Sequence, residues 1–302
     1  MMTRAGEDLA SPDHACAVPS SDEQLWEMSA EFVGAGLSAR EQVTYFDDGT
    51  VEAVLERLDD NRVPVADSLQ TGQLTVVAAE HTRAALRSPL EAVRETVLDL
   101  IDSSIESGWT GFRMTGQFSY GLRRAGGIGL PEYDAALADV LRGRPARLLC
   151  FFDRRHYPDE AIGLMRSLHD KEIEAPAIYD DNLLRITSIG PAALRLAGEV
   201  DHSNRPRIRR LLETTLDQAQ RSHDAPTDIT LDLSSLRFLD VAGAVSLVHT
   251  AEEFPSTHRL VLTGVRQRVL RVLDRCGAPF AAQLTVEPRP EPREQSRGGA
   301  MP

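Results

Sequence analysis

Histidine, cysteine, serine and carboxylate side chains are the groups from which this sequence could build chemistry, and their spacing restricts it. The eight histidines form neither an H-E-x-x-H pair nor another close metal-binding spacing. The serines lack the G-x-S-x-G elbow of a hydrolase. Most carboxylates fall on predicted helix faces, where solvation is their usual role. We therefore expect a protein that is not an enzyme, with no catalytic residue, no cofactor and no metal.

The cysteines and the single lysine exclude further classes. Cys16, Cys150 and Cys276 are too far apart for a disulfide framework or a zinc knuckle, so buried thiols are favoured over redox or metal roles. Lys171 has no glycine-rich loop before it, whereas a P-loop ends in Gly-Lys-Ser/Thr. A Walker-type ATPase or GTPase is therefore not expected, and a degenerate nucleotide binder is a weak alternative.

Composition narrows the possible partners. The 302 residues are 42% hydrophobic and carry a formal net charge of −13. Nucleic acid is not an expected partner, because a clustered basic face is missing. A membrane span is not expected either, since no apolar run approaches about 20 residues. The N-terminus lacks the apolar stretch of a secretory signal, so we expect a cytoplasmic location.

Short strands and amphipathic helices alternate along the first half, which predicts an α/β fold with a mostly parallel sheet. Period-2 and apolar runs indicate strands near 42–46, 73–79, 112–120 and 146–153. Apolar residues at helical spacing indicate helices near 24–37, 51–61, 90–107 and 131–141. The helices and strands together are sufficient for one α/β domain.

The second half has a different charge balance, which suggests a separate domain. Residues 188–287 hold 12 arginines and 12 acidic residues, whereas residues 1–187 hold 18 basic and 32 acidic residues. We predict a disordered N-terminus at 1–11, a first domain at 12–175, a linker at 176–182, a second domain at 183–287 and a disordered tail at 288–302. Strands and helices alternate in the second domain too, with a long amphipathic helix over 206–220. The inner stripe of this helix is predicted to be Ile208, Leu211, Leu212 and Leu216.

Two segments of the second domain resemble a known family. LRLAGEVD at 194–201 and LDLSSLRFLDVAGAVSLV at 231–248 resemble the STAS domain of bacterial anti-sigma-factor antagonists. The resemblance implies a β-sheet flanked by helices that binds an anti-sigma factor, typically a histidine-kinase-like serine kinase. In that family an Asp, a phosphorylatable Ser or Thr, a small residue and Gly begin the second helix. Here the stretch is Asp240-Val241-Ala242-Gly243, so the usual phosphoswitch cannot operate at this position.

The resemblance also implies a set of partner-binding residues. They are Asp201, Ser235, Asp240, Val241, Ala242 and Gly243. For Asp201 a loop-fixing role is the alternative, and Asp240 could also cap the following helix, which is compatible with binding. Ser234, Ser235 and Ser246 are nearby hydroxyls that could accept phosphate instead, although solvated or capping roles are favoured. Constitutive binding, or control from elsewhere in the chain, is therefore expected.

The first half resembles the MEDS domain, a sensory domain named after methanogen/methylotroph proteins and the DcmR regulator. The resemblance runs from His14-Ala-Cys16 through Arg113-Met-Thr-Gly116 to Cys150-Phe-Phe-Asp153-Arg154-Arg155 and covers about 12–160. It implies a RecA/KaiC-like core without a functional P-loop and a role in sensing small molecules, hydrocarbon derivatives among them. Gln117 and Tyr120 depart from the Glu and Trp of related sequences.

A sensor pocket should lie at the carboxyl ends of the strands, where open α/β sheets bind ligands. Its candidate residues are His14, Cys16, Arg113, Tyr120, Cys150, Asp153, Arg154 and Tyr157. The sequence thus predicts a two-domain regulator in which small-molecule sensing controls an anti-sigma-factor antagonist. The alternative is a ligand-sensing or scaffold protein whose second domain mediates homo-oligomerisation or another protein contact.

Overall fold

The computed structural model describes residues 2–4, 14–47, 49–117, 129–221 and 226–290. It divides into two compact units, Met1–Pro176 and Ala177–Pro302. The division lies at the beginning of the segment expected to be a linker. Within the described ranges, none of the helices combines the length and apolar character that a bilayer span requires.

A seven-stranded sheet forms the centre of the first unit. Its strands are β1 (Met2–Arg4), β2 (His14–Ala17), β3 (Gln42–Phe46), β4 (Leu74–Val77), β5 (Phe112–Gly116), β6 (Ala146–Phe151) and β7 (Lys171–Glu174). They lie in the order β1-β7-β2-β6-β5-β3-β4, and every pairing is parallel. The predicted α/β fold with a parallel sheet is confirmed.

Within the described residues, seven helices lie between these strands. They are α1 (Asp22–Ser38), α2 (Val51–Asp60), α3 (Val65–Gln70), α4 (Ala79–Arg87), α5 (Leu90–Glu106), α6 (Leu130–Leu141) and α7 (Asp159–Leu168). Side-chain caps begin two of them, because Ser21 accepts a hydrogen bond from the Gln24 N–H and Thr50 from the Ala53 N–H. Both faces of β6 are buried, Leu148 in one apolar cluster and Leu149 in another.

The structure of the first unit differs from expectation at its N-terminus. Residues 2–4, which we assigned to a disordered N-terminus, form β1 and pair with β7 from Met2–Glu172 to Arg4–Glu174. The outer edge of β7 offers unpaired backbone groups, and a short parallel strand satisfies them. Strand β5 covers Phe112–Gly116, the first part of the segment 112–120 that we expected to run from a strand into a polar turn. Residues 5–13 and 118–128 lie outside the described residues.

The second unit is built on a mixed sheet. Its strands are β8 (Tyr179–Asp180), β9 (Leu184–Gly190), β10 (Ala193–Val200), β11 (Asp228–Asp232), β12 (Leu236–Leu239), β13 (Arg259–Val265) and β14 (Leu284–Pro288). The order is β14-β13-β11-β10-β9-β8, and β12 also pairs with β10. The β8–β9 and β9–β10 pairings are antiparallel and the others are parallel.

Three α-helices and a short 3-10 helix accompany this sheet, as the STAS resemblance implies. They are α8 (Arg205–Arg221), α9 (Val241–Glu252), α10 (Gln267–Arg275) and the 3-10 helix Ala278–Phe280. Ile208 and Leu212 are the buried part of the predicted inner stripe of α8. They share one core cluster with Leu231 and Leu247. Alternating apolar residues of the strands and the helix stripe thus form a single core.

Part of the expected linker belongs to the second sheet. Asp181 holds the turn between β8 and β9, because its Oδ1 accepts hydrogen bonds from the N–H groups of Leu183 and Leu184 at 2.9 and 2.7 Å. The Ile178 N–H donates to the Ile186 carbonyl. At the other end, Pro288 closes β14, so the predicted tail begins inside a strand. Residues 291–302 lie outside the described residues.

Candidate functional site

The beginning of α9 is held in place by Asp240. Its Oδ1 accepts a hydrogen bond from the Gly243 N–H at 2.6 Å, which is N-cap geometry. The Asp240 N–H donates to the Val200 carbonyl at 3.1 Å. Its Oδ2 lies 3.7 Å from Nε of Arg205 on α8. Because three neighbours hold this residue, the helix begins at a defined position.

The residues after Asp240 divide into an inner and an outer pair. Gly243 is buried, and a Cβ there would lie 2.8 Å from Oδ1 of Asp240 and 2.9 Å from Cδ1 of Leu239, so only glycine fits. Ala242 is exposed, and Val241 is 66% exposed. The capped helix start therefore presents an apolar side chain to solvent.

Ser235 is not on the surface where we expected it. It is 1% exposed, and its Oγ accepts a hydrogen bond from Nη2 of Arg195 at 2.7 Å. Ser234 is also buried, and Gly264 approaches it so closely that a Cβ would lie 2.9 Å from that of Ser234. Neighbouring chain segments therefore cover the turn after β11 and bury both serines. Ser246 is half-buried on α9.

Asp201 builds the turn that leads into α8. Its Oδ1 accepts hydrogen bonds from the N–H and the hydroxyl of Ser203 at 2.9 and 2.6 Å. These bonds lower the pKa of the Asp201 carboxyl. Its own N–H donates to Oδ1 of Asn204 at 3.1 Å. Of the two roles considered for Asp201, the contacts are those of a loop-fixing residue.

In the first unit, a cleft of about 490 Å³ opens at the carboxyl ends of the strands. This is the edge at which open parallel sheets bind ligands. At this cleft, residues at or after the ends of β3, β5 and β6 lie opposite the first turns of α1 and α2. The lining residues are Leu25, Trp26, Asp47, Gly49, Thr50, Ala53, Gln117, Phe151, Asp153, His156 and Tyr157.

Apart from His156, the polar side chains that line the cleft are acidic or neutral. Asp47 accepts a hydrogen bond from the Gly49 N–H at 2.9 Å. Oδ1 of Asp153 accepts from the backbone N–H of Arg155 at 2.8 Å and from its Nε at 2.9 Å. The first turn of α1 already carries Asp22 and Glu23, which complement its positive end. An anion would meet like charge here, whereas a neutral or cationic molecule would not.

The structure places few of the predicted pocket residues in this cleft. Asp153 and Tyr157 line it, but Arg154 does not. The side chain of Arg154 is half exposed and lies 3.9 Å from Asp159. Tyr120 lies outside the described residues. Gln117, which we noted only as a departure from related sequences, is a lining residue.

Arg113 lies at the opposite edge of the sheet, contrary to expectation. It is register partner of Val43 near the amino end of β5, and its Nε donates to the carboxylate of Glu41. Nη1 donates to the Phe32 carbonyl at 2.9 Å. Burial lowers the pKa of Arg113, and Glu41 opposes that shift. Arg113 and Gly116 lie at opposite ends of the same strand, and the cleft is at the carboxyl end, where Gly116 lies.

His14 and Cys150 also lie away from the cleft lining, in a buried polar cluster beneath α6 and α7. Sγ of Cys150 lies 3.4 Å from Nε2 of His14 and 3.8 Å from Oδ1 of Asp134 on α6. Nε2 of His14 and Nε2 of His169 each lie 3.4 Å from the same Asp134 oxygen. We name His14, Asp134, Cys150 and His169 the polar cluster.

Burial controls the electrostatics of this polar cluster. It raises the pKa of Cys150 well above its usual range, with Asp134 adding to the shift. It lowers the pKa of His169, with His14 adding to the shift. Cys16, the register partner of Cys150, has its pKa raised to about 12 by burial. Sequence reasoning missed the polar cluster because its members are far apart in the chain and form no short motif.

Two family models match the chain. One, described as the methanogen/methylotroph, DcmR sensory domain (MEDS), matches residues 13–170, and the STAS domain matches 184–287. No curated protein matches the chain. Among solved structures, the flagellar accessory protein FlaH from Methanocaldococcus jannaschii is similar at 11% identity and a TM-score of 0.44, covering 62% of this chain and 78% of that one. Both family resemblances inferred from the sequence are confirmed.

Proposed function

Since this chain belongs to the MEDS family of sensory domains and carries a STAS domain after it, we propose that it is a cytoplasmic regulator that acts by binding, not by catalysis. Its second unit is an anti-sigma-factor antagonist. It binds an anti-sigma factor of the histidine-kinase-like serine kinase type and thereby frees a sigma factor for transcription. The first unit senses a small molecule and controls that binding.

The observation that carries the antagonist proposal is the exposed Val241 at the capped start of α9. Apolar surface that is exposed on a rigid support is available to pack against a protein partner. Phe238, which is 48% exposed on β12, adds apolar surface to the same unit. Valine has no oxygen to phosphorylate, so a kinase cannot reverse binding at this position. Binding is then either constitutive or controlled from elsewhere in the chain, and the sensory unit is the candidate for such control.

The cleft supports the sensory part of the proposal. It has the size and mixed apolar and polar lining of a small-molecule site. Trp26 and Phe151 offer apolar surface, while Asp47 and Gln117 offer hydrogen-bond acceptors. The ligand class that fits is a small neutral or cationic molecule with an apolar body.

Calorimetry of the purified chain with candidate anti-sigma kinases from the same cell tests the antagonist role. Val241→Glu should weaken binding by about 30-fold or more, because a carboxylate would be buried without a partner. Ile189→Glu is the matched control: it is 52% exposed in the same unit, and β9 places it beside the opposite end of β10 from Val200. Equal loss in both variants, or none in Val241→Glu, would exclude this interface.

A fluorescence titration that follows Trp26 tests the sensory role. Neutral hydrocarbon derivatives such as dichloromethane and small alcohols should bind, whereas inorganic phosphate should not. Ala53→Trp should abolish binding because it fills the cleft, and Ala84→Trp, on an exposed face of α4, should not. Ligand binding without binding to any candidate kinase would favour the scaffold alternative over the antagonist proposal.

A further inference from the structure

We propose that the polar cluster of the first unit is a binding site for one divalent transition-metal ion, with Zn²⁺ as the best fit. The ligand atoms are Nε2 of His14, a carboxylate oxygen of Asp134, Sγ of Cys150 and Nε2 of His169. These side chains supply four ligand atoms that all lie within 4.8 Å of one another. This site is separate from both the cleft and the α9 start, so it goes beyond the proposed function.

The distances within the polar cluster are those of a tetrahedral ligand set. Zn–N bonds of about 2.1 Å and Zn–S bonds of about 2.3 Å place neighbouring ligand atoms about 3.4–3.6 Å apart. The separations are 3.4 Å for His14–Cys150, 3.4 Å for His14–Asp134 and 3.4 Å for His169–Asp134, with 3.8 Å for Cys150–Asp134. Three of the six edges therefore lie in this range, and a fourth, Cys150–Asp134, is 0.2 Å longer.

Hydrogen bonds within the polar cluster do not satisfy its buried groups. Oδ2 of Asp134 and Nε2 of His169 are buried and have no hydrogen-bond partner among the described residues. The side chains of His14, Asp134 and His169 are 4, 5 and 0% exposed, so bulk solvent does not reach them. Leaving such groups unpaired is unfavourable. A bound ion would give Nε2 of His169 a partner.

The surroundings of His169 fit the role of a metal ligand. Its Nδ1 lies 2.7 Å from the Met165 carbonyl, to which an Nδ1–H donates. That bond fixes the tautomer that leaves Nε2 free to bind a metal, which is the usual support of a ligating histidine. The ring also packs edge-on against Phe152 at 5.5 Å between centroids. The imidazole is therefore oriented before an ion arrives.

Charge and donor type select the ion. A thiolate, a carboxylate and two neutral imidazoles carry two negative charges, which a divalent cation neutralises in this buried place. Nitrogen and sulfur donors exclude Mg²⁺ and Ca²⁺, which prefer oxygen, and the mixed four-ligand set is typical of Zn²⁺. With four protein ligands the ion has no open position. We therefore assign it a structural role that joins β2 and β6 to α6 and the end of α7.

Metal binding by the full chain tests the proposal. The protein is stripped with a chelator and titrated with Zn²⁺ against a chromophoric competitor, and we expect one tight equivalent. Titration with Co²⁺ should give a thiolate-to-cobalt charge-transfer band and the d–d bands of a tetrahedral site. Both signals are read on the wild-type protein, so they do not depend on whether a variant folds.

Two cysteine variants locate the site. Cys150→Ser should lose the charge-transfer band and weaken Zn²⁺ binding by at least about tenfold. Cys16→Ser is the matched control, because Cys16 is equally buried and is the register partner of Cys150, but it is outside the cluster; it should keep both signals. A wild-type protein that takes up no equivalent of either metal would overturn the proposal, and so would a Cys150→Ser protein with an unchanged cobalt spectrum. Neither result depends on a kinase or on a cleft ligand.

Discussion

Glu41 and Arg113 form an ion pair whose side chains are only 6 and 3% exposed, at the amino edge of the first sheet. Arg147 binds the other carboxylate oxygen of Glu41. Removing the carboxylate would take away the buried counter-ion of the Arg113 guanidinium, so Glu41→Ala should lower the free energy of unfolding by about 3–5 kcal/mol. Urea unfolding measures this loss. Glu56→Ala, on the exposed face of α2, should change it by less than about 0.5 kcal/mol.

Two helical glycines should respond oppositely to alanine. Gly163 in α7 has open space around it, so Gly163→Ala should raise the free energy of unfolding by about 0.5–1 kcal/mol through helix propensity. Gly243→Ala should lower it by about 1–3 kcal/mol, because the new methyl would collide with Asp240 and Leu239. Thermal unfolding of both variants measures the difference. A stabilising Gly243→Ala would contradict the close packing at the start of α9.

A hydroxyl at position 241 should restore a phosphorylation site. Val241→Ser puts an exposed hydroxyl beside the cap of α9, where the STAS family carries its acceptor. Incubation with the cognate kinase and ATP, followed by mass spectrometry, should find phosphate at position 241 and weaker kinase binding. The wild-type segment 234–246 should stay unmodified. Ala242→Ser, also exposed but one residue later, is the control and should stay unmodified too.

Stability should depend on pH through Glu31 in α1. Burial, with a contribution from Glu27, raises the pKa of Glu31 from its usual value of 4.5 to about 7. Between these values the folded protein holds a proton that the unfolded chain has released, so stability falls as the pH rises through this interval. Glu31→Gln removes that dependence.

Urea unfolding at pH 5 and pH 8 measures the effect. The midpoint of Glu31→Gln should be close to that of the wild type at pH 5 and higher at pH 8. Glu56→Gln, which is exposed, should follow the wild type at both values. A Glu31→Gln protein that loses as much stability as the wild type between the two values would show that Glu31 does not carry this dependence.

Local patterns predicted much of the fold because they report which residues are buried. The apolar run at 42–46 became β3, and the inner stripe of α8 begins at Ile208 as expected. The short β7 and the helices α3 and α4 were not identified. Their segments are mostly polar and bury few residues, so their sequences show little apolar periodicity from which to predict them.

The sites were harder to predict because they depend on strand ends and on long-range contacts. Asp153 and Tyr157 follow β6 and line the cleft, whereas Arg113 lies near the beginning of β5 and does not line it. Ser235 lies in a motif that suggests a surface loop, but its side chain is buried and accepts a hydrogen bond from Arg195. The polar cluster joins residues 14, 134, 150 and 169, and neither periodicity nor short spacing reports on such separations.

The large sequence separations between the four residues of the polar cluster set an order of assembly during protein synthesis. His14 leaves the ribosome first and His169 last, shortly before the boundary between the two units at Pro176 and Ala177. Chains grow from the N-terminus, and domains generally fold as units. An ion can therefore be fully enclosed only when almost the whole sensory unit has emerged. Metal uptake would then mark completion of that unit before the second unit has been made.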